Sequence, residues 1–162
     1  LEAALRARGR NVRVINAGLS GDTSAGGLAR LDWLLSGPDG LPDAAIVELG
    51  ANDALRGLDP ARTRANLAAI LERLAADRVR VLLAGMLAPS NMDAAYARAF
   101  NAVYPDLAKA RGVALYPFFL EGVAGNTALN QADGIHPNEA GVARMVAGIL
   151  PAVEALLAQT AP

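Results

Sequence analysis

The sequence predicts an α/β fold, a three-layer α/β/α sandwich with a central parallel sheet and helices on both faces. Three observations lead there. Short apolar runs of strand type alternate along the chain with longer segments of helical periodicity. The run Ala44–Leu49 (AAIVEL) is mostly apolar, as a strand covered on both faces is. No repeat or low-complexity linker interrupts the order, and 162 residues are a usual size for one domain.

The elements follow in order. Leu1–Arg8 (LEAALRAR) reads as the middle of an amphipathic helix, with no capping residue ahead of it and Gly9 closing it. Val12–Ala17 (VRVINA) reads as a strand, followed by the small-residue turn Gly18–Thr23. Ser24–Ser36 carries Leu28, Leu31 and Leu35 at helical spacing and is broken by Gly37, Pro38, Asp39 and Gly40. The strand Ala44–Leu49 comes next and ends in a turn rich in turn-forming residues. Asp59 and Pro60 then open a helix with Leu67, Ile70, Leu71 and Leu74 on one face. Val79–Ala84 is a strand, and Asp93 caps a helix carrying Tyr96, Phe100, Val103 and Leu107, which Pro105 should kink or end. Val113–Tyr116 is the last strand. Asn138 caps a final helix with Val142, Met145, Val146 and Ile149 inward, bent near Pro151.

Composition narrows the function classes. Hydrophobic residues make up 53% and charged residues 19%, ample for a sizeable core. A net charge of −1 and scattered arginines give no nucleic-acid footprint and no polybasic membrane patch. Cysteine is absent, which excludes disulfides, a thiol nucleophile and thiolate metal sites, and suits an oxidising compartment. No apolar run approaches the length of a transmembrane helix.

Three polar segments each follow a predicted strand, where open parallel sheets place their sites. In Asp133-Gly134-Ile135-His136-Pro137, His136 is the only histidine. A carboxylate three residues before an imidazole can accept its Nδ1 proton and leave Nε2 as a general base. Taken alone, the pair is better read as a loop histidine beside a turn-forming aspartate. A metal pair is disfavoured, since one histidine and no cysteine leave only carboxylates. In Leu49-Gly50-Ala51-Asn52-Asp53, Asn52 can present a side-chain N–H to a developing negative charge, although a plain turn has the same composition. In Ser20-Gly21-Asp22-Thr23-Ser24, Gly21 can expose a backbone N–H, while Asp22, Thr23 or Ser24 caps the next helix.

Together and in this order, the segments resemble the SGNH (GDSL-type) hydrolase superfamily, whose blocks contribute a Ser, a Gly, an Asn and a His. The wording Ser-Gly-Asp-Thr-Ser, Val-Glu-Leu-Gly-Ala-Asn-Asp-Ala-Leu-Arg-Gly and Asp-Gly-Ile-His-Pro-Asn is similar to its acyl-CoA thioesterase I, lysophospholipase and arylesterase branch. The resemblance implies a flavodoxin-like three-layer fold, with residues 1–162 forming one domain. It implies that Gly21 and Asn52 supply the oxyanion hole, His136 the general base and Asp133 its orienting acid. The reaction implied is acyl transfer from a carboxylic ester or thioester to a serine and then to water, which calls for no cofactor and no metal.

The family's Gly-Asp-Ser-Leu block is not in this sequence. The resemblance places it after a first strand ahead of Leu1, on the order of 20 residues upstream. The expected nucleophile therefore lies outside the printed chain. Ser20 is the rival within it, but Gly18-Leu19-Ser20-Gly21-Asp22 fails the Gly-x-Ser-x-Gly elbow at its last position. Leu55, Leu58, Leu87, Pro89 and Met92 lie in loops after strands and are candidates for an acyl or aromatic pocket. Aryl esters, short acyl esters, acyl thioesters and lysophospholipids all fit. The alternatives are a carbohydrate acetylesterase of the same superfamily, or an inactive ligand-binding remnant if the nucleophile is truly absent. The branch implies a periplasmic or secreted protein; the sequence is silent on oligomeric state.

Overall fold

The computed structural model describes residues 1–159. Its elements alternate as the pattern requires: α1 (Glu2–Ala7), α2 (Ser24–Leu35), β1 (Ala44–Val47), α3 (Ala51–Leu55), α4 (Pro60–Ala76), β2 (Arg80–Ala84), α5 (Ala94–Arg111), β3 (Ala114–Tyr116) and α6 (Glu139–Ala158), with a 3-10 turn at Thr127–Leu129. The three strands form a parallel sheet in the order β1-β2-β3. Ala44 stands opposite Arg80, and Leu82 opposite Ala114.

Two cores flank the sheet. On one face α2, α4 and α5 bury Leu67, Ile70, Leu71 and Leu74 with Phe100, Val103, Tyr104 and Leu107 against Val81 and Leu83. On the other, α1 and α6 bury Leu5, Ile149, Leu150, Val153 and Leu156 against Leu82. This is the three-layer sandwich. Helix starts follow local chemistry: Thr23, Asp59, Asp93 and Asn138 each accept a backbone N–H of the first turn of α2, α4, α5 and α6.

Four expectations need correction. Val12–Ala17 is not a strand. Its backbone groups are taken by side chains instead, Val14 N–H by Glu2, Val12 O by Arg6 and Ala17 O by Arg30, and it pairs with no strand among the described residues. Val14 and Ile15 are consequently 40% and 43% exposed. The turn after β1 contains a short helix, α3, that was expected to be irregular. Of the two outcomes expected at Pro105, an end is ruled out: α5 runs on to Arg111, because Phe100, Val103, Tyr104 and Leu107 anchor both sides of the missing hydrogen bond.

The fourth correction concerns α6. Val142 faces outward at 50% exposure, and the inward residues are Ile149, Leu150, Val153 and Leu156. The residues of α6 that meet the sheet begin near its middle, at Gly148 and Ile149, and its first turn packs at Gly141 on the Thr127–Leu129 turn instead. By length and composition α6 is apolar enough to cross a membrane, contrary to the expectation from apolar runs. Its buried stripe nonetheless packs on Leu82 and α1.

Candidate active site

The site is assembled at the carboxyl edge of the sheet. Because the strands are parallel, the segment after β1 emerges there directly. Arg80 opens β2 at the opposite edge, and its guanidinium donates to the carbonyls of Leu156, Leu157 and Gln159. The C-terminus of α6 is thereby pinned to the amino edge of the sheet. A 20-residue helix spans about 30 Å, so the N-terminus of α6 returns to the carboxyl edge, next to His136.

The Gly21 segment begins with a four-residue turn in which Asp22 N–H donates to Leu19 O at 3.2 Å. Gly21 holds its third position with φ +77°, the type II geometry that a side chain would strain. The Gly21 N–H takes no part in the turn's own bond, and no acceptor meets it among the described residues. Thr23 rather than Asp22 or Ser24 caps α2, accepting from Gly26 N–H at 3.2 Å.

Asn52 sits in the first turn of α3, started by Gly50 at φ +111°. Its Nδ2 donates to the carbonyl of Asp22 at 2.9 Å. One amide N–H is thus fixed on the residue that follows Gly21, and the other has no acceptor among the described residues. The structure brings these two expected oxyanion donors together.

Asp133 and His136 form the second pair. His136 Nδ1 lies 2.8 Å from Asp133 Oδ2, and Asp133 Oδ1 accepts the N–H groups of Ile135 and His136 at 2.9 and 3.0 Å. These contacts, first the His136 backbone N–H and then its ring, lower the Asp133 carboxyl to about 2. A carboxylate that accepts from Nδ1 selects the neutral tautomer whose Nε2 carries the lone pair a general base needs. The loop is closed behind it by Gln131 N–H on His136 O at 2.7 Å and by the Asn130–Pro137 bridge. Asn138 caps α6 through Gly141 N–H and ties the loop to Ala128 O. Both ring and carboxylate are open to solvent. No hydrogen bond joins His136 to the Gly21–Asn52 side; the two pairs share only the edge.

Ser20 is exposed in its turn and contacts neither Asp133 nor His136. Ser24 is wholly buried with its hydroxyl donating to Asp53, so it is no nucleophile. Of the proposed lining residues, Leu58, Leu87, Pro89 and Met92 lie in loops at the carboxyl edge, while Leu55 ends helix α3 rather than lying in a loop. Leu55, Leu58 and Leu87 are exposed, and Pro89 and Met92 half-buried. The Tyr96 hydroxyl, donating to Leu58 O at 2.9 Å, ties the loop after α3 to α5. Among the described residues no cluster of His, Asp and Glu is suited to a metal ion.

Sequence reasoning missed the buried group behind the oxyanion side. Asp53, 2% exposed, accepts Ser24 N–H at 2.8 Å, Ser24 Oγ at 2.5 Å and Thr63 Oγ1 at 3.1 Å. Asn66 Nδ2 donates to Ser24 Oγ at 2.9 Å. One signal was available: Thr63 shares the apolar stripe of Leu67, Ile70 and Leu74, and a polar residue at such a position needs a partner.

The GDSL-like lipase/acylhydrolase family model matches residues 1–144. The chain is 45% identical over 157 residues to esterase TesA of Pseudomonas aeruginosa, covering 97% of this chain and 77% of that protein. It is 46% identical over 125 residues to thioesterase 1/protease 1/lysophospholipase L1 of Escherichia coli, covering 77% of this chain and 59% of that protein. A crystal structure of TesA superposes with a TM-score of 0.89 at 44% identity, covering 96% of this chain and 85% of that one. On the fold, the order of its site segments and these matches, the chain belongs to the GDSL-like lipase/acylhydrolase family.

Proposed function

We propose that this chain forms the body of a serine esterase and thioesterase, with His136 as general base, Asp133 as its orienting acid, and Gly21 and Asn52 as oxyanion donors. The observation that carries the reading is the Asp133–His136 pair, 2.8 Å apart, at the same sheet edge as the Gly21–Asn52 pair. The nucleophile is a serine on a Gly-Asp-Ser-Leu turn ahead of Leu1. A strand preceding that turn would lie along the edge of β1 that faces away from β2, and would give Val12–Ala17 a partner. Its carboxyl end would bring the serine to the carboxyl edge.

The chemistry follows. Serine Oγ attacks the carbonyl carbon while its proton passes to His136 Nε2, and the oxyanion is held by the Gly21 N–H and the Asn52 amide. Collapse expels the alcohol or thiol, which takes the proton from Nε2. Water then attacks the acyl-enzyme, gives a proton to Nε2 and releases the acid, and the proton returns to serine. Substrates on this reading are aryl and short acyl esters, acyl thioesters and lysophospholipids, their apolar portion resting on Leu55, Leu58, Leu87, Pro89 and Met92. The enzyme acts after export, in the periplasm or outside the cell, a reading supported by the absence of cysteine.

The test is hydrolysis of p-nitrophenyl esters and of acyl thioesters by protein expressed from its whole reading frame. His136→Ala should lower kcat by about 10²- to 10⁴-fold, the usual weight of a general base, with the fold intact. Activity surviving that substitution would remove His136 from the mechanism.

A further inference from the structure

Three residues of one stretch reach across to three of the four residues from Gly21 to Ser24. Asn52 Nδ2 donates to Asp22 O at 2.9 Å, Asp53 accepts the N–H and hydroxyl of Ser24, and Arg56 Nη2 donates to Gly21 O at 2.8 Å. The contacts are of different kinds. The Asp53 anchor is wholly buried and satisfied by Thr63 and, through Ser24, by Asn66. The Arg56 contact is exposed, and no carboxylate pairs with Arg56 among the described residues. Arg30 fixes the far side of the segment, pairing with Asp22 Oδ2 at 2.7 Å and holding Ala17 O.

We infer that Arg56 and Ser24–Asp53 are positioning residues that lock the Gly21 peptide and the Asn52 amide into one rigid donor pair. This rests on the function proposed above. A type II turn has a competing form in which its central peptide flips, and such a flip would move the Gly21 N–H away from its working direction. Gly21 itself, without a Cβ, offers little resistance to that flip. The Arg56 guanidinium on Gly21 O resists rotation on the C-terminal side of the glycine. Asn52 on Asp22 O holds the next peptide, and the Ser24–Asp53 bonds fix where the turn enters α2. Oxyanion stabilisation depends on donors already aimed before the charge develops, so loosening this clamp lowers transition-state binding more than substrate binding.

The experiment uses protein from the whole reading frame, as wild type, Arg56→Met, Arg56→Lys and Ser24→Ala. Arg56 is exposed and Ser24→Ala keeps the backbone bond to Asp53, so all three should fold, which a thermal melt checks. Expected are a kcat about tenfold lower in Arg56→Met with KM within twofold, a matching drop in the rate of phosphonate inactivation, and partial recovery in Arg56→Lys. Ser24→Ala should show the same split. The Gly21 backbone amide and Asn52 side-chain amide should also shift or broaden in the ¹⁵N spectrum of Arg56→Met. Unchanged kcat, or a rise in KM alone, in both Arg56→Met and Ser24→Ala would overturn the clamp. A wild type that neither hydrolyses esters nor reacts with the phosphonate would instead overturn the proposed function, and the amide spectra would still decide the clamp.

Discussion

Replacing Gly50 by alanine tests how the end of β1 is built, because Gly50 starts the helix that presents Asn52. Its φ of +111° is strained for any residue with a side chain, at about 1–3 kcal/mol. The added Cβ would also lie 2.2 Å from the hydroxyl oxygen of Tyr104 and 3.3 Å from Thr63 Cγ2. Tyr104 cannot swing aside: it is 1% exposed, packed edge-on against Phe100, and its hydroxyl donates to Leu49 O at 2.9 Å. Overpacking of this kind costs a further ~1–3 kcal/mol. The sum, roughly 2–6 kcal/mol, is a large part of the ~5–15 kcal/mol that holds a domain together.

A double-mutant cycle separates the two terms. Tyr104→Phe alone removes the donor to Leu49 O and should cost about 1–3 kcal/mol. In the Gly50→Ala background the same change deletes the clashing oxygen, leaving Tyr104 Cζ at 3.4 Å as that ring's nearest contact. The cost of Tyr104→Phe should therefore shrink by about 1–3 kcal/mol, and in the best case the double variant is more stable than Gly50→Ala. Urea denaturation of the four proteins, followed by circular dichroism, measures this directly. Additivity within about 0.5 kcal/mol would refute the reasoning, since it would mean that the alanine and the tyrosine hydroxyl never meet.

Further predictions follow from the same geometry. Asp133→Asn should lower kcat by at least about tenfold and shift the ring tautomer in ¹⁵N spectra of His136; an unchanged tautomer would count against the orienting role. The Asp133 carboxyl falls from 3.8 when free to about 2 when folded, so its contribution is fully present above pH 4 and fades as pH drops through that window. The His136 Nδ1 bond should persist to pH 4 and be lost only as pH falls through about 2, an acid titration that NMR can follow. Leu67→Ala, at a wholly buried position of α4, should cost about 2–5 kcal/mol in urea denaturation; a cost under 1 would mean that α4 is loosely packed. Leu58→Ser together with Leu87→Ser should raise KM for long acyl or aryl esters and leave acetyl esters nearly unaffected. An equal effect on both would place the acyl chain elsewhere.

Much of this was legible in the residues, and what was not has identifiable physics. Thr23, Asp59, Asp93 and Asn138 cap their helices because capping is a local contact between neighbours in sequence. The Asp133–His136 pair is legible for the same reason, lying three residues apart on one loop. Val12–Ala17 was misread because β-branched residues signal suitability for a sheet without revealing whether a partner is alongside. Helix α3 has five residues, too few to display a helical period. The persistence of α5 through Pro105 depends on packing from α4 and the sheet, which local propensity does not contain. The Ser24–Asp53 anchor joins residues 29 apart, and only the meeting of α2 with the end of β1 creates it.

The most direct test of the account is to treat protein from the whole reading frame with a fluorophosphonate, digest it, and locate the label by mass spectrometry, with His136→Ala alongside. The account predicts a mass above the 16.7 kDa of this chain, a label on a serine preceding Leu1, and little labelling in the variant. A label on Ser20, or no label on a protein whose mass equals this chain, would contradict it.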